Sequence, residues 1–166
     1  MRRDDEVAES FGLFRELCKE AGHTQETMPR TYLTRSVYVA ETDEKAYEEI
    51  ASYLPQAYAW DATKYDSIPN LGYYNVETTD NQRVKGQSLF RGTQSGINFW
   101  LENNLAYVGS PETVIQRIKE SQKLIGYDAL GGRFSFGPMS NEMVTKSIRL
   151  FGEKVIPAFA EAPVSA

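Results

Sequence analysis

Between Asn104 and Phe136 the chain reads NLAYVGSPETVIQRIKESQKLIGYDALGGRFSF, and this stretch decides the fold class. Ser110 stands where a hydroxyl can accept a hydrogen bond from the free N–H groups of a helix start. Pro111 follows at the first helical position, where a missing N–H costs nothing. Glu112 adds a negative charge at the positive end of the helix dipole. Val114, Ile118 and Ile125, with Ile115 beside them, fall on one face at helical spacing. Gly126 suits the left-handed position that ends a helix. Ala129–Phe136 is then expected as a strand, stopped by Gly137-Pro138. A helix that feeds a strand through a tight turn is the repeating joint of an α/β protein.

On the amino-terminal side, residues 5–21 have the pattern of an amphipathic helix closed by Gly22. Its apolar line is Val7, Phe11, Phe14, Cys18 and Ala21. Met28-Pro29-Arg30 connects it to Tyr32–Ala40, a strand candidate dominated by β-branched and aromatic residues. Thr42 can cap the helix that follows, with Asp43 and Glu44 in its first turn. That helix is expected to run through Ala46 and Ile50 to about Leu54, where Pro55 stops it. Thr42 therefore marks a strand-to-helix junction, the end of a strand that faces ligands in parallel α/β sheets. Its bland reading is a cap alone.

Residues 56–103 lose periodicity and collect aromatic residues. A connection of this length in a compact domain is usually a functional lid or else disordered. Its aromatic content argues against full disorder. Arg91-Gly92-Thr93-Gln94-Ser95-Gly96 sets an arginine beside flexible backbone and hydroxyls, suited to an anion such as phosphate. A solvated turn is the competing reading. Ile97–Leu101 is expected as a short helix packing through Phe99 and Trp100. After the central stretch, Ser140 or Asn141 caps a last helix. Its stripe is Val144, Ile148, Phe151, Val155 and Phe159, and Pro157 kinks or ends it.

Totals exclude several classes. The 166 residues suffice for one domain with a core, and no internal repeat or boundary divides them. The net charge of −5 and pI near 5.0 disfavour nucleic acid and anionic membrane as partners. No run approaches the ~18 apolar residues of a membrane span. The charged start Met1-Arg2-Arg3-Asp4-Asp5-Glu6 is unlike a secretory signal, and a cytoplasmic address is the expectation. Cys18 is the only cysteine, so neither an internal disulfide nor a thiolate cluster is expected. Its place on the apolar line favours a small buried residue over a catalytic thiol. The only histidine, His23, could be a general base, but a helix-exit position favours solvated surface. Phosphate-loop, dinucleotide, zinc-protease and serine-elbow motifs are all missing. Spacing alone thus reaches an α/β scaffold with a long aromatic loop and no further.

Resemblance adds to this. Gly109-x-Pro111-x-x-Val114, a helix ending at Gly126, a strand, and a helix closing with Val155-Ile156-Pro157 resemble the carboxyl-terminal end of bacterial luciferase-like flavin monooxygenases. Phe14-Arg15-Glu16-Leu17, Ala21-Gly22 and Val37-Tyr38-Val39-Ala40-Glu41-Thr42-Asp43-Glu44-Lys45-Ala46 resemble the family's segment before and through its seventh strand. The likeness covers residues 7–50 and 105–159, with residues 56–103 in place of a variable insertion. It implies a (β/α)8 TIM barrel that oxidises a small organic substrate with O2 and reduced FMN, or in some branches a deazaflavin.

A full barrel needs about 250 residues, so this chain has room for about two strand–helix units. The fold expected is a partial barrel, a single domain over residues 1–166, either a truncated product or one half of a split protein. Catalytic residues cannot be carried over. Arg91 matches a mobile basic insertion and is the one cofactor-binding candidate. Two bare sheet edges and an apolar interior face are expected, hence self-association or a complementary barrel portion. A flavin reductase is a further implied partner. The competing functions are a non-catalytic remnant that dimerises or holds flavin, and an unrelated small α/β binding domain.

Overall fold

The structure is a computed structural model, and it describes residues 3–53 and 97–160. Its elements in order are α1 (Asp4–Glu20), β1 (Tyr32–Val39), α2 (Asp43–Ile50), α3 (Ile97–Glu102), β2 (Ala106–Gly109), α4 (Pro111–Ile125), β3 (Ala129–Arg133) and α5 (Asn141–Leu150). A π-helical turn, Phe151–Val155, and a 3-10 turn, Ile156–Phe159, close the described chain.

The central stretch folds as its local chemistry dictates. Ser110 has extended backbone angles and its Oγ accepts the Thr113 N–H at 3.3 Å. Gly126 is left-handed, with φ 72° and ψ 39°, and its N–H donates to Gln122 O at 2.7 Å. Val114, Ile118 and Ile125 are buried as the helical spacing requires. Thr42 caps α2 by accepting the Lys45 N–H at 3.2 Å. Cys18 is buried and unpaired on α1.

The three strands form a parallel sheet in the order β2-β1-β3. Two strands were expected around the flanking helices, and β2 is the additional one. It hides in the sequence because four residues before a strong helix cap carry too short a pattern to read. β3 is also shorter than the expected Ala129–Phe136. It runs beside Tyr32–Ser36 only, while β2 runs beside Ser36–Val39. Beyond Ser36, α5 occupies the edge of β1 that β3 has left. The Val39 N–H donates to Ser147 Oγ at 2.9 Å, and on the other edge the Ala40 N–H donates to Gly109 O at 3.2 Å. A buried backbone donor needs such a partner, and a helix side chain supplies it where the strand stops.

This also corrects the last helix. Its expected stripe included Ile148, which is 48% exposed, whereas Ser147 is fully buried. The 3.6-residue repeat fails after Leu150, because a π turn and then a 3-10 turn change the angular step. Pro157 contributes by withholding an N–H from this segment.

Side chains alternate along β1 and sort the core by face. Leu33, Val37 and Val39 pack with α1, α4 and the closing turns, through Val7, Ile125, Val114, Ile118 and Val155. Tyr38 and Ala40 pack on the other face with Ala46, Ile50, Trp100, Ala106, Val108 and Phe136. The rest of that second face is different. Tyr32 and Thr34 are exposed in the central strand, as is Ala129 beside them. The expected bare apolar interior is therefore a small strip of mixed polarity that includes the exposed Tyr32, and the other large exposed apolar side chains lie on helices and the closing turn, Leu13 and Leu17 of α1 and Leu124 of α4 among them. α2 ends at Ile50, with Ala51 as its C-cap, short of the expected end near Leu54; the turn at 91–96 lies outside the described residues. So does the side chain of Phe99, while Trp100 of α3 is fully buried as expected.

Candidate functional site

The carboxyl ends of β1 and β2 lie side by side, because Val39 pairs with Gly109. Ligands of parallel α/β sheets gather at this end. Two charged clusters are built there.

The first closes the start of α4. Asp43, the first residue of α2, accepts the Ser110 N–H at 2.6 Å with Oδ1 and the Thr113 hydroxyl at 2.8 Å with Oδ2. Partial burial works against the charged carboxyl, but the Ser110 and Thr113 donors outweigh it and hold Asp43 below the usual carboxylate range. Gly109 permits this approach. A Cβ built there would meet Asp43 Oδ1 at 2.6 Å, and the φ of +153° suits glycine. The helix start that could have received a ligand's phosphate thus already holds a carboxylate of the chain.

The second cluster ties β1 and α2 to α5. Lys146 Nζ lies 3.0 Å from Glu41 and 3.6 Å from Glu49, and Lys45 lies 3.2 Å from Glu41. The buried Tyr38 hydroxyl donates to Glu49 at 2.7 Å. Lys146, foremost, and Lys45 hold Glu41 down at about 2. Burial first, then Glu49, pushes the Tyr38 phenol far up, so it stays protonated as a donor. Beside this cluster, Glu41, Glu142, Thr145, Lys146 and Arg149 line an open cleft of about 520 Å³. Its two carboxylates balance its two cations.

The opposite end of the sheet holds His23. Its Nδ1 donates to the Thr27 carbonyl at 3.0 Å, in the loop that enters β1. It shares a cleft of about 620 Å³ with Arg15, Lys19 and Arg30, away from the carboxyl ends of the strands. A general-base role at the rim does not fit that place. Arg91 lies outside the described residues.

Sequence reasoning missed Asp43 as a link to α4, because the residue reads locally as an ornament of its own helix. It also missed Arg133. This residue ends β3, and its guanidinium donates to Ser36 Oγ through Nε at 3.3 Å and Nη2 at 3.1 Å. The register that sets Ser36 against Arg133 also sets Thr34 against Gly131, and all four lie on the partly open face. The alternation of residues 129, 131 and 133 was the signal available. Among the described residues, no group of three His, Cys, Asp or Glu could hold a metal ion. None of the helices there is long and apolar enough to cross a membrane.

For a flavin phosphate, the α4 start and Lys146 are already matched by carboxylates. Arg133 is engaged as well, donating to Ser36 Oγ.

Comparisons agree with the architecture. The model of the luciferase-like monooxygenase family matches residues 1–128. A monooxygenase from Streptomyces bottropensis superposes with a TM-score of 0.61 at 18% identity, over 96% of this chain and 40% of that one. The oxygenating constituent of 3,6-diketocamphane monooxygenase is similar as well. It is a type II Baeyer–Villiger monooxygenase from the CAM plasmid of Pseudomonas putida, solved in complex with FMN. Its TM-score is also 0.61, at 20% identity, over 95% of this chain and 41% of that one. The chain thus spans about two fifths of the length of either structure. No curated protein is significantly similar to it.

Proposed function

The chain belongs to the luciferase-like monooxygenase family, and from this we propose that it is the carboxyl-terminal part of a (β/α)8 barrel. Residues 1–166 form one domain in this reading, with 56–103 as an insertion. The activity proposed is oxidation of a small organic substrate with O2 and reduced FMN, within a larger assembly. A deazaflavin is the alternative cofactor, and a flavin reductase is the partner that would deliver it reduced.

One observation carries the reading. β1 is flanked on both sides by parallel strands, and the carboxyl ends of β1 and β2 meet at a rim fixed by charged links. All-parallel sheets occur almost only with both faces covered, and half of one face here is open among the described residues. That supports completion by a further barrel portion or a second copy. The exposed Leu13 and Leu17, one turn apart on α1, add an apolar flank to the same argument.

When bound, reduced flavin supplies the electrons of the oxygen chemistry. The protein's residues hold the rim in place: Asp43 joins the β1 end to α4, and Glu41 and Glu49 join it to α5 through Lys146. A second reading is a non-catalytic module that dimerises or holds flavin. The carboxylate already seated on the α4 start favours it.

The test is a visible absorption spectrum of the purified protein after FMN addition and gel filtration, with its mass in solution. Retained flavin absorbance on a species larger than one chain supports the monooxygenase reading. A flavin-free product of monomer mass, with no substrate-dependent O2 consumption, contradicts it.

A further inference from the structure

The cleft of about 620 Å³ at the amino-terminal end of the sheet gathers cations that the fold does not match. Its volume lies within the roughly 300–1,000 Å³ of small-ligand sites. Arg15 and Lys19 reach it from α1, and Arg30 from the loop that enters β1. Its carboxylates are Glu26 and Asp128. The chain carries a net charge of −5, so a cluster with more cations than carboxylates runs against its composition.

Two of these groups are fixed by the fold. Arg15 Nη2 donates to the Ile125 carbonyl at 3.0 Å and also to the Gly126 carbonyl. Gly126 leaves room for it, since a Cβ there would meet Nη2 at 2.9 Å. Asp128 accepts the Thr31 N–H at 2.6 Å and the Thr31 hydroxyl at 3.0 Å. The Thr31 N–H foremost, then its hydroxyl and the charges of Arg30 and Arg15, hold the Asp128 carboxyl below its usual range. Both guanidinium charges are thus felt at one carboxylate.

Lys19 and Arg30 are different. Both are exposed, and among the described residues neither forms an ion pair. Elsewhere Lys45 and Lys146 are matched by Glu41, and Arg35 by Asp4. Lys19 stands in the last turn of α1, where a cation suits the negative end of the helix. Arg30 belongs to no helix, so that account does not reach it. A guanidinium fork and an ammonium around one cleft match the oxygens of a phosphate or carboxylate.

We propose that this cleft binds an oxyanion, the phosphate or carboxylate group of a small soluble ligand, with Arg30 and Lys19 as binding residues and Arg15 as a fixed third charge. The site lies at the opposite end of the sheet from the rim and does not depend on the flavin reading. Its occupant ties α1 to the loop that enters β1 and to the turn before β3.

The test uses the full chain, labelled with 15N, with sodium phosphate and sodium succinate as separate probes. Ionic strength is held constant with sodium chloride. The probe shifts the Lys19, Arg30 and Asp128 amides in one saturable curve and leaves Val39 and Ser147 unmoved. Arg30→Gln and Lys19→Gln each weaken binding by about tenfold, the lower end of the worth of a charge-assisted contact. Both side chains are exposed, so both variants fold. Glu26→Gln strengthens binding, because a carboxylate that repels the ligand is gone.

No saturable shift with either probe overturns the proposal. So does a shift that survives unchanged when Arg30→Gln and Lys19→Gln are combined. Equal shifts at Lys123 and Lys154, outside the cleft, also overturn it, because they signify general adsorption of anions. Saturation by phosphate alone assigns a phosphorylated ligand, and saturation by succinate alone assigns a carboxylate. Saturation by both supports an oxyanion site that accepts either group.

Discussion

The two faces of β1 are built from neighbouring residues and do different work. Arg35, Val37 and Val39 point to a face closed by α1, α4 and the carboxyl-terminal turns. Thr34 and Ser36, one residue away on either side of Arg35, belong to a polar strip that is half open. A strand whose interior side is polar gives up packing energy there. Fully burying one aliphatic side chain is worth roughly 1.5–3 kcal/mol. The closed face therefore holds the fold, and the half-open face contributes less to it.

The sharpest way to break this contrast is to change adjacent residues. Arg35 is 3% exposed and pairs with the buried Asp4 at 2.7 Å. Removing one partner of a buried pair leaves an uncompensated charge, so Arg35→Ala is expected to destabilise by about 3–5 kcal/mol. Thr34→Ala, on the open face, is expected to stay within about 0.5 kcal/mol. Chemical-denaturation midpoints compare the two directly, and equal losses would mean that both faces carry structure.

Next in size is the edge where β3 gives way to α5. Ser147→Ala leaves the buried Val39 N–H without its acceptor, at an expected cost of about 1–3 kcal/mol. Hydrogen exchange at the Val39 amide should speed up with it. An unchanged exchange rate would show that α5 does not replace the missing strand.

Smaller again is the α4 cap. Ser110→Ala is expected to cost about 1 kcal/mol. A denaturation midpoint unmoved by it would assign the cap to Asp43 alone, which also accepts the Ser110 N–H.

The mildest effect is that of pH on the rim. Lys146 holds Glu41 at about 2, and Asp43 and Asp128 are also below their usual range. Each carboxyl ionises more readily folded than unfolded, so the unfolded chain binds more protons in acid. The stability these groups add is present above the ordinary carboxylate range and is lost as pH falls toward about 2. Glu41→Gln should flatten part of this acid limb in a thermal melt series, and an unaltered limb would remove Lys146–Glu41 from the account. The effect is small because both side chains meet solvent.

These sites differ in how far the sequence revealed them. The caps at Thr42 and Ser110 and the left-handed Gly126 were legible because each needs only three or four adjacent residues. The family was legible from the order of such pieces. β2 was not, since four residues cannot display a period, and the extent of β3 depended on where α5 docks. Asp4 read as part of a charged start, and only the fold brings it to Arg35, 31 residues away. Asp43 and Ser110 meet across 67 residues, a contact that no local pattern encodes. Arg91, the one cofactor candidate named from sequence, stays a proposal, because it falls outside the described residues.

The proposed function requires that this chain hold flavin as part of a larger barrel-like assembly. Sedimentation velocity with FMN, read together in the protein and flavin absorbance bands, tests it most directly. The account predicts one boundary in which flavin travels with a species heavier than the 18.8 kDa chain. Flavin left at the meniscus while the protein sediments as a compact 18.8 kDa monomer would contradict it.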